Sequence, residues 1–450
     1  MSRPAPLSGF PELLPEQRIV EQKVVAKLAR TFELHGFASV NTRAVEPLDQ
    51  LLRKGETSKE VYVLRRLQAD AESADAGLGL HFDLTVPFAR YVLENAGKLQ
   101  FPFRRYQIQP CWRGERPQEG RFREFWQADI DIVDRDTLPT HYDVEIPLVV
   151  GDALRSLPLP PMTIHTNNRK LSQGFYRGLG IDDPAEAIRA IDKIDKIGPS
   201  GVATLLADNV GATDDQVKAC LALADISSDD ASFVDDVRAL GVSDPLLDEG
   251  LEELAAVVEG AAAQHPGLVK ADLRIARGLD YYTGTVYETF MSGYENLGAV
   301  CSGGRYDNLA SEGKFRFPGV GISLGVSRIL VPLLGSGALR ATRPVPTCVL
   351  VALADDDARP RSRELARRLR ERDIACEVAP SPQKYGKQIR FAERRGIPFV
   401  LFDSGDGVTE MRDIRSGEQV AVDVDTWAPP AGDARPDIVA GDRPTLIADL

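Results

Sequence analysis

Residues 103–133 constrain the fold of this chain more than any other stretch. Two alternating runs, 103–113 and 122–133, flank a charged segment at 114–120, which reads as an antiparallel hairpin with a long basic loop. Four arginines, Arg113, Arg116, Arg121 and Arg123, fall within eleven positions around Pro117 and Gly120. Guanidinium forks at that density suit the oxygens of a triphosphate. In the return run, Phe125 offers a ring on which a nucleobase can stack. Glu115 offers an acceptor for an exocyclic amine. Gln127, Asp129 and Asp131 follow at period two, so one strand face carries an amide and two carboxylates. Carboxylates buried on a strand need partners, which implies a cationic or donor ligand. On this stretch alone a basic surface hairpin is the alternative.

Three further clusters carry polar chemistry. Residues 274–288 place Arg277 just ahead of a strand-like, tyrosine-rich run with Tyr281 and Tyr282 on opposite faces. That combination suits a polar aromatic substrate and an anionic transition state; which tyrosine faces the ligand stays open. Asp83 and Thr85 share a face and suit an ammonium group, although a strand-end Asp and Thr also read as helix caps. Gly303, Gly304 and Arg305 form a possible substrate loop, because paired glycines let a ligand or another backbone approach closely. A plain turn is the alternative there. The glycines of 319–328 do not follow a first strand as GxGxxG, which argues against a dinucleotide fold, and no P-loop pattern is present. They would instead let Arg328 approach a planar ligand or a phosphate.

Length sets the domain count. At 450 residues, with 43% hydrophobic and 27% charged content, the chain exceeds one typical core and reads as two or three soluble globular domains. Its five cysteines are scattered without a CxxC pair, which indicates neither a disulfide framework nor a zinc site. No apolar run approaches 18 residues and residues 1–9 lack an apolar core, so a cytoplasmic protein without targeting or membrane segments is expected. The net charge of −13 is concentrated: residues 182–265 hold 19 acidic against 5 basic side chains. Residues 98–123 are basic by 7 to 2 and residues 359–395 by 12 to 5, so a polyanionic partner stays compatible with the acidic total. Solvated helix faces are the alternative for 359–372.

Along the chain, residues 15–37 read as a long amphipathic helix ended by Gly36, and 38–45 as a strand before Pro47. This is a plausible dimer element, or simply the first helix and strand of the core. Residues 78–85 read as a strand running into a helix, and 139–154 as helix. The expected boundaries are a catalytic first part at 1–167, an α-helical insertion at 168–266, a catalytic second part at 267–335, a linker at 336–345, an α/β domain at 346–427 and a flexible tail at 428–450.

Taken in order, these motifs resemble those of class II aminoacyl-tRNA synthetases, and within that class the histidyl-tRNA synthetase family. Residues 36–47 resemble motif 1, 113–127 motif 2 and 319–328 motif 3. Residues 277–288 and 302–307 resemble the histidine-specific stretches, and 385–392 the family's anticodon-binding domain. The resemblance covers most of residues 10–425. It implies an α+β catalytic domain with an antiparallel sheet flanked by helices, an α-helical insertion and a C-terminal α/β anticodon-binding domain. It also implies a homodimer, with L-histidine, ATP and histidine tRNA as partners and Mg2+ bound with the ATP.

Residue roles follow from the resemblance position by position. Arg113 would hold the α-phosphate, Glu115 the adenine edge and Arg121 the γ-phosphate, with Phe125 and Arg328 enclosing the adenine. Asp83, Thr85 and Gln127 would hold the ammonium and carboxylate ends of histidine. Asp131 and Tyr282 would read its imidazole nitrogens with Tyr281 nearby, and Arg277 would stabilise charge at the α-phosphate. Asp83 and Asp131 stand where the family frequently has glutamate. Ser327 also replaces a frequent glutamate, so no adenine or metal contact is carried over to it. A non-catalytic histidine-sensing paralogue is the rival; such proteins generally lack the C-terminal domain and have eroded motifs.

Overall fold

The computed structural model describes residues 5–52, 60–67, 77–276, 282–405 and 407–441. Two compact units emerge, one comprising residues 1–11 and 25–332 and the other residues 12–24 and 333–450.

The larger unit is built on a nine-stranded sheet. Its order is Ala38–Ser39, Phe103–Trp112, Glu124–Val133, Phe315–Gly325, Cys301–Glu312, Thr285–Met291, Met162–Asn168, Val269–Asp272 and Ser227–Ser228. The ladders between the second and seventh strands are antiparallel, and parallel pairs occur only toward the edges. The hairpin expected at 103–133 therefore forms, with Gln107 opposite Asp129 and Arg105 opposite Asp131. Helices Thr85–Asn95 and His141–Arg155 flank the sheet and bury Phe88, Val92, Ile146 and Val149.

Two local expectations need correcting. The strand expected at 38–45 shrinks to Ala38–Ser39, and Val45–Pro47 joins a separate three-stranded sheet. A side-chain amide replaces the ladder where the chain leaves: Gln109 Oε1 accepts from the Thr42 N–H at 3.2 Å, and its Nε2 donates to Thr42 O at 3.1 Å. The insertion at 168–266 is also not purely helical, because Ser227–Ser228 supplies the last strand of the main sheet. Its helices pack tightly onto the same unit. A Cβ on Gly174 would strike the backbone of Leu247, and one on Gly250 the backbone of Leu171. Helices Arg169–Gly178 and Pro245–Gln264 thus cross where only glycine fits.

In the smaller unit, strands Cys376–Val378, Val349–Val351 and Phe399–Asp403 are parallel, and Thr409–Asp413 and Gln419–Ala421 extend the sheet as a hairpin. Continuous apolar strands mark a sheet covered on both faces. Val349 and Val351 pack with Leu365 and Leu369 of helix Arg359–Glu371, while Leu350 and Ala352 pack with Ala392 of helix Tyr385–Arg394.

The linker and the first part of the tail differ from the sequence expectation. Leu339–Ala341 pairs antiparallel with Ile438–Ala440, so residues 428–441 are part of the fold; residues 442–450 lie outside the described residues. Backbone donors and acceptors that composition marked as loop are satisfied by this ladder and by Arg343. That buried guanidinium donates to the carbonyls of Val345, Pro346, Asp433 and Ala434. Arg343→Ala is expected to destabilise the C-terminal unit by about 2–4 kcal/mol, since several charge-assisted bonds are lost together. In full-length protein, urea unfolding should show a lower-stability phase reported by Trp427, whose ring packs on Phe399 at 5.3 Å.

Candidate active site

Opposed residues of an antiparallel ladder share a face, and the register lines up polar side chains across the large sheet. One row runs Gln107, Asp129, Ser323, Ser302, Glu288 and His165. The adjacent row runs Arg105, Asp131, Gly321 and Gly304. Beyond the other side lie Gln109, Gln127 and Gly325. A sheet face at the centre of a domain is ordinarily apolar; this one is a polar floor.

Glycines make space on that floor. A Cβ at Gly321 would strike the Asp131 carboxylate, and one at Gly304 would lie 2.9 Å from the Tyr282 ring. Gly304 and Gly321 are partners, so Asp131 and Tyr282 lie over adjacent glycines on the same face. The described tyrosine therefore faces the floor. Arg277 and Tyr281, the other histidine-stretch residues singled out from sequence, lie outside the described residues.

Asp131 is held from two sides. Tyr306 donates its hydroxyl to Oδ1 at 2.7 Å, and Arg105 Nη2 lies 2.7 Å from Oδ2. Arg105 is fully buried, stacks over the Phe88 ring at 4.2 Å and lies 3.7 Å from Asp129. Its Asp131 contact is ionic more than directional, since Nη2 makes no well-aligned hydrogen bond there. Burial pushes the Asp129 carboxyl up to about 7; Arg105 lowers it, Asp131 and Asp83 raise it, and a Ser323 hydrogen bond lowers it.

Beside the floor, Arg113, Glu115, Arg121, Phe125, Gln127 and Arg328 line one cavity of about 110 Å3. Arg113 stacks on Phe125 at 5.0 Å and donates through Nε to Phe82 O at 3.0 Å. Glu115 faces Arg121 at 3.3 Å. Arg328, at the start of helix Val326–Gly335, passes its stem beside Gly120 and Gly325 and donates to Leu297 O. A second cavity of about 480 Å3 adjoins through Arg121, Ala299 and Arg328 and reaches Lys196 and Arg274. That volume is typical of small-molecule sites. Arg113 and Arg121 of the hairpin and Arg328, far apart in sequence, thus converge on one polar pocket, whereas Arg116 and Arg123 do not line it.

Asp83 is buried beside helix Thr85–Asn95, where its Oδ1 accepts from the Val86 N–H at 3.1 Å, so it acts as a cap. Thr85 opens that helix. Gln127 donates to Ser323 Oγ at 2.6 Å. Gly303, Gly304 and Arg305 form no loop: all three belong to strand Cys301–Glu312. Arg305 turns to the opposite face, where it binds Asp143 at 2.5 Å and the carbonyls of Leu138 and Pro139. Its place is structural, because strand alternation puts it away from Gly304. Ser327 also has a structural contact, accepting the Trp126 N–H at 2.8 Å.

Comparison with known proteins decides the family. The histidyl-tRNA synthetase family profile matches residues 9–329, and an anticodon-binding domain profile matches residues 347–428. The histidine–tRNA ligase of Cutibacterium acnes is 57% identical, over 98% of this chain and 99% of that protein. That of Micrococcus luteus is also 57% identical, over 97% and 99%.

This chain belongs to the histidyl-tRNA synthetase family.

Among solved structures, the histidyl-tRNA synthetase of Nostoc sp. PCC 7120 superposes with a TM-score of 0.84 at 32% identity, covering 94% of this chain and 98% of that one. A Bacillus halodurans protein described as an ATP phosphoribosyltransferase regulatory subunit/histidyl-tRNA synthetase shares the fold, with a TM-score of 0.72 at 18% identity. The fold alone thus does not separate a synthetase from a regulatory relative; the residues on the floor and in the cavity must.

Sequence reasoning passed over Arg105, and gave no role to Tyr306 within the 302–307 stretch. The signal for Arg105 was the period-two set Arg105, Gln107 and Gln109 on a strand that alternation already placed beside Asp131. Arg105→Met is expected to cost about 3–5 kcal/mol at neutral pH, because it leaves Asp129 and Asp131 facing each other without a buried cation. With Asp129 at about 7 in the folded protein, above the usual carboxylate range, the folded state holds more protons. Its contribution to stability therefore falls as pH rises through about 4 to 7. Chemical unfolding of the variant at pH 5 and pH 8 should show the larger deficit at pH 8.

Proposed function

We propose that this chain is a histidine–tRNA ligase working in the cytoplasm. It joins L-histidine and ATP to give histidyl-adenylate and pyrophosphate, then transfers the histidyl group to the 3′ end of histidine tRNA. The observation that carries the reading is the juxtaposition of Asp131 and Tyr282 over paired glycines with the cavity lined by Arg113, Phe125 and Arg328, in a chain of this family.

Asp131 and Tyr282 read the two imidazole nitrogens, and Asp83, Thr85 and Gln127 take the amino-acid end. Buried polar readers reject apolar amino acids, whose binding would leave those groups unpaired. Adenine stacks between Phe125 and Arg328, its amine edge meets Glu115, and Arg121 takes the γ-phosphate. A histidine carboxylate oxygen attacks the α-phosphorus, the new P–O bond forms and pyrophosphate leaves. Arg113 and Arg277 stabilise the charge that grows on the α-phosphate oxygens. In the second step a ribose hydroxyl of the tRNA end attacks the acyl carbon and AMP leaves. Neither step needs a side-chain nucleophile; positioning and preorganised cations suffice.

Mg2+ bound with the ATP would offset the charge of the phosphates. The basic helix Tyr385–Arg394 faces the tRNA, and a homodimer forms around residues 36–47. No helix among the described residues is long and apolar enough to cross a membrane. A histidine sensor has no use for an arginine-lined cavity beside its amino-acid site, which favours the ligase over the regulatory paralogue.

Histidine-dependent ATP–pyrophosphate exchange tests the reading, and its absence in the wild type would sink it. Arg113→Ala and Arg277→Ala are each expected to lower kcat by about 100- to 1,000-fold while changing the histidine KM far less, because their interaction grows toward the transition state. Histidine binding without exchange would point to the sensor.

A further inference from the structure

Two carboxylates on the floor, Asp129 and Glu288, have no task in the roles assigned above, and Asp129 is the one that neighbours Gln127 and Asp131. Asp129 is 2% exposed, and its Oδ1 has no hydrogen-bond partner among the described residues. Gln127 Oε1, two residues away on the same face, is likewise buried without a partner, because the amide nitrogen is the end that meets Ser323. Asp83 by contrast already spends Oδ1 on the Val86 N–H.

Charge around Asp129 is unbalanced. Asp131 on its own strand and Asp83 beside helix Thr85–Asn95 both act on it. Arg105 of the neighbouring strand lies 3.7 Å away but sits closer to Asp131, at 2.7 Å. Arg113, which with Arg105 opposes Asp129 and Asp83 around the buried Cys111 thiol, is engaged with Phe82 O and Phe125. Ser323 touches the carboxylate from the other neighbouring strand, and the Tyr306 hydroxyl is taken by Asp131. Two unpartnered acceptors beside surplus carboxylates call for a donor that brings positive charge.

We propose that Asp129 is a further substrate-binding residue: with Gln127 Oε1 it receives the ammonium group of the amino acid. This deepens the ligase reading and rests on it for the identity of the ligand. The arrangement uses both ends of Gln127, its nitrogen on Ser323 and its oxygen on the substrate. It also couples binding to a proton. Asp129 is partly protonated near pH 7 in the empty site, and an arriving cation stabilises the carboxylate. Histidine binding therefore releases a proton near neutral pH, and affinity falls as pH drops below about 7, beyond what the titration of histidine itself produces.

The test pairs a protein change with a ligand change in the full-length chain. Histidine KM is measured by ATP–pyrophosphate exchange for wild type, Asp129→Asn and Asp129→Glu. Inhibition constants are measured for histidinol, which keeps the amine, and imidazolepropionate, which lacks it. Asp129→Asn is expected to weaken histidine and histidinol by about 10- to 100-fold and imidazolepropionate by less than about threefold. Asp129→Glu should recover part of the loss. Calorimetry in two buffers of different ionisation enthalpy should count about half a proton released by wild type near pH 7 on binding histidine, after allowance for each ligand's own imidazole, absent with imidazolepropionate and absent in Asp129→Asn.

Equal weakening of all three ligands would assign Asp129 to supporting Asp131 and Arg105, and would overturn the proposal. So would an unchanged histidine KM. Should Asp129→Asn fail to fold, the wild-type calorimetry decides: equal proton release with histidine and imidazolepropionate overturns it. If wild type binds histidine with proton release yet shows no exchange, the ligase reading fails while this inference stands.

Discussion

A guanidinium buried inside a sheet-and-helix layer is the constraint on which this site depends. Arg105 has no exposed surface, rests on the Phe88 ring and lies between the chain and two carboxylates of the neighbouring strand. Without it, Asp129 and Asp131 would be two like charges in a low-dielectric interior, and the strand Glu124–Val133 would resist burial. With it, the central face of the sheet becomes polar yet buried. Such a face is an unusual thing to put at the middle of a domain, and it is where the chemistry of a small charged substrate would gain most from preorganisation.

Glycines do the complementary work. Positions 304 and 321 leave hollows where every other residue would place a Cβ, and the hollows are filled by Tyr282 and Asp131. The shape of the floor is therefore set less by its side chains than by the room the glycines give up. On the reverse face, Arg305 and Asp143 tie the same strand to helix His141–Arg155, so the floor cannot shift without breaking a buried ion pair.

Much of this was legible in the chain before any coordinates. Alternation on 122–133 correctly placed Gln127, Asp129 and Asp131 on one face, because strand periodicity is local. The arginine hairpin and Arg328 were each visible in the residues; their meeting at one site was expected only from the family resemblance, since physically it depends on the pairing of Glu124–Val133 with Phe315–Gly325. Arg305 shows the limit: a glycine pair and an arginine look like a loop until the strand register turns the arginine away. Tail residues 428–441 show another. Composition rich in Pro, Asp and Gly describes what a segment does alone, and here Arg343 and the 339–341 strand supply partners from far upstream.

That pairing has a consequence for the order in which the chain is made. The strand Leu339–Ala341 is synthesised before all of the five-stranded sheet, and its partner Ile438–Ala440 after it. Through that interval a strand edge stands open, and Arg343 lacks two of its four carbonyl acceptors. Domains fold largely as they emerge, so the larger unit has its whole sheet in hand while the smaller one is still waiting for its clasp. A nascent chain of this protein passes through a stage with a finished polar floor and an unfinished C-terminal unit.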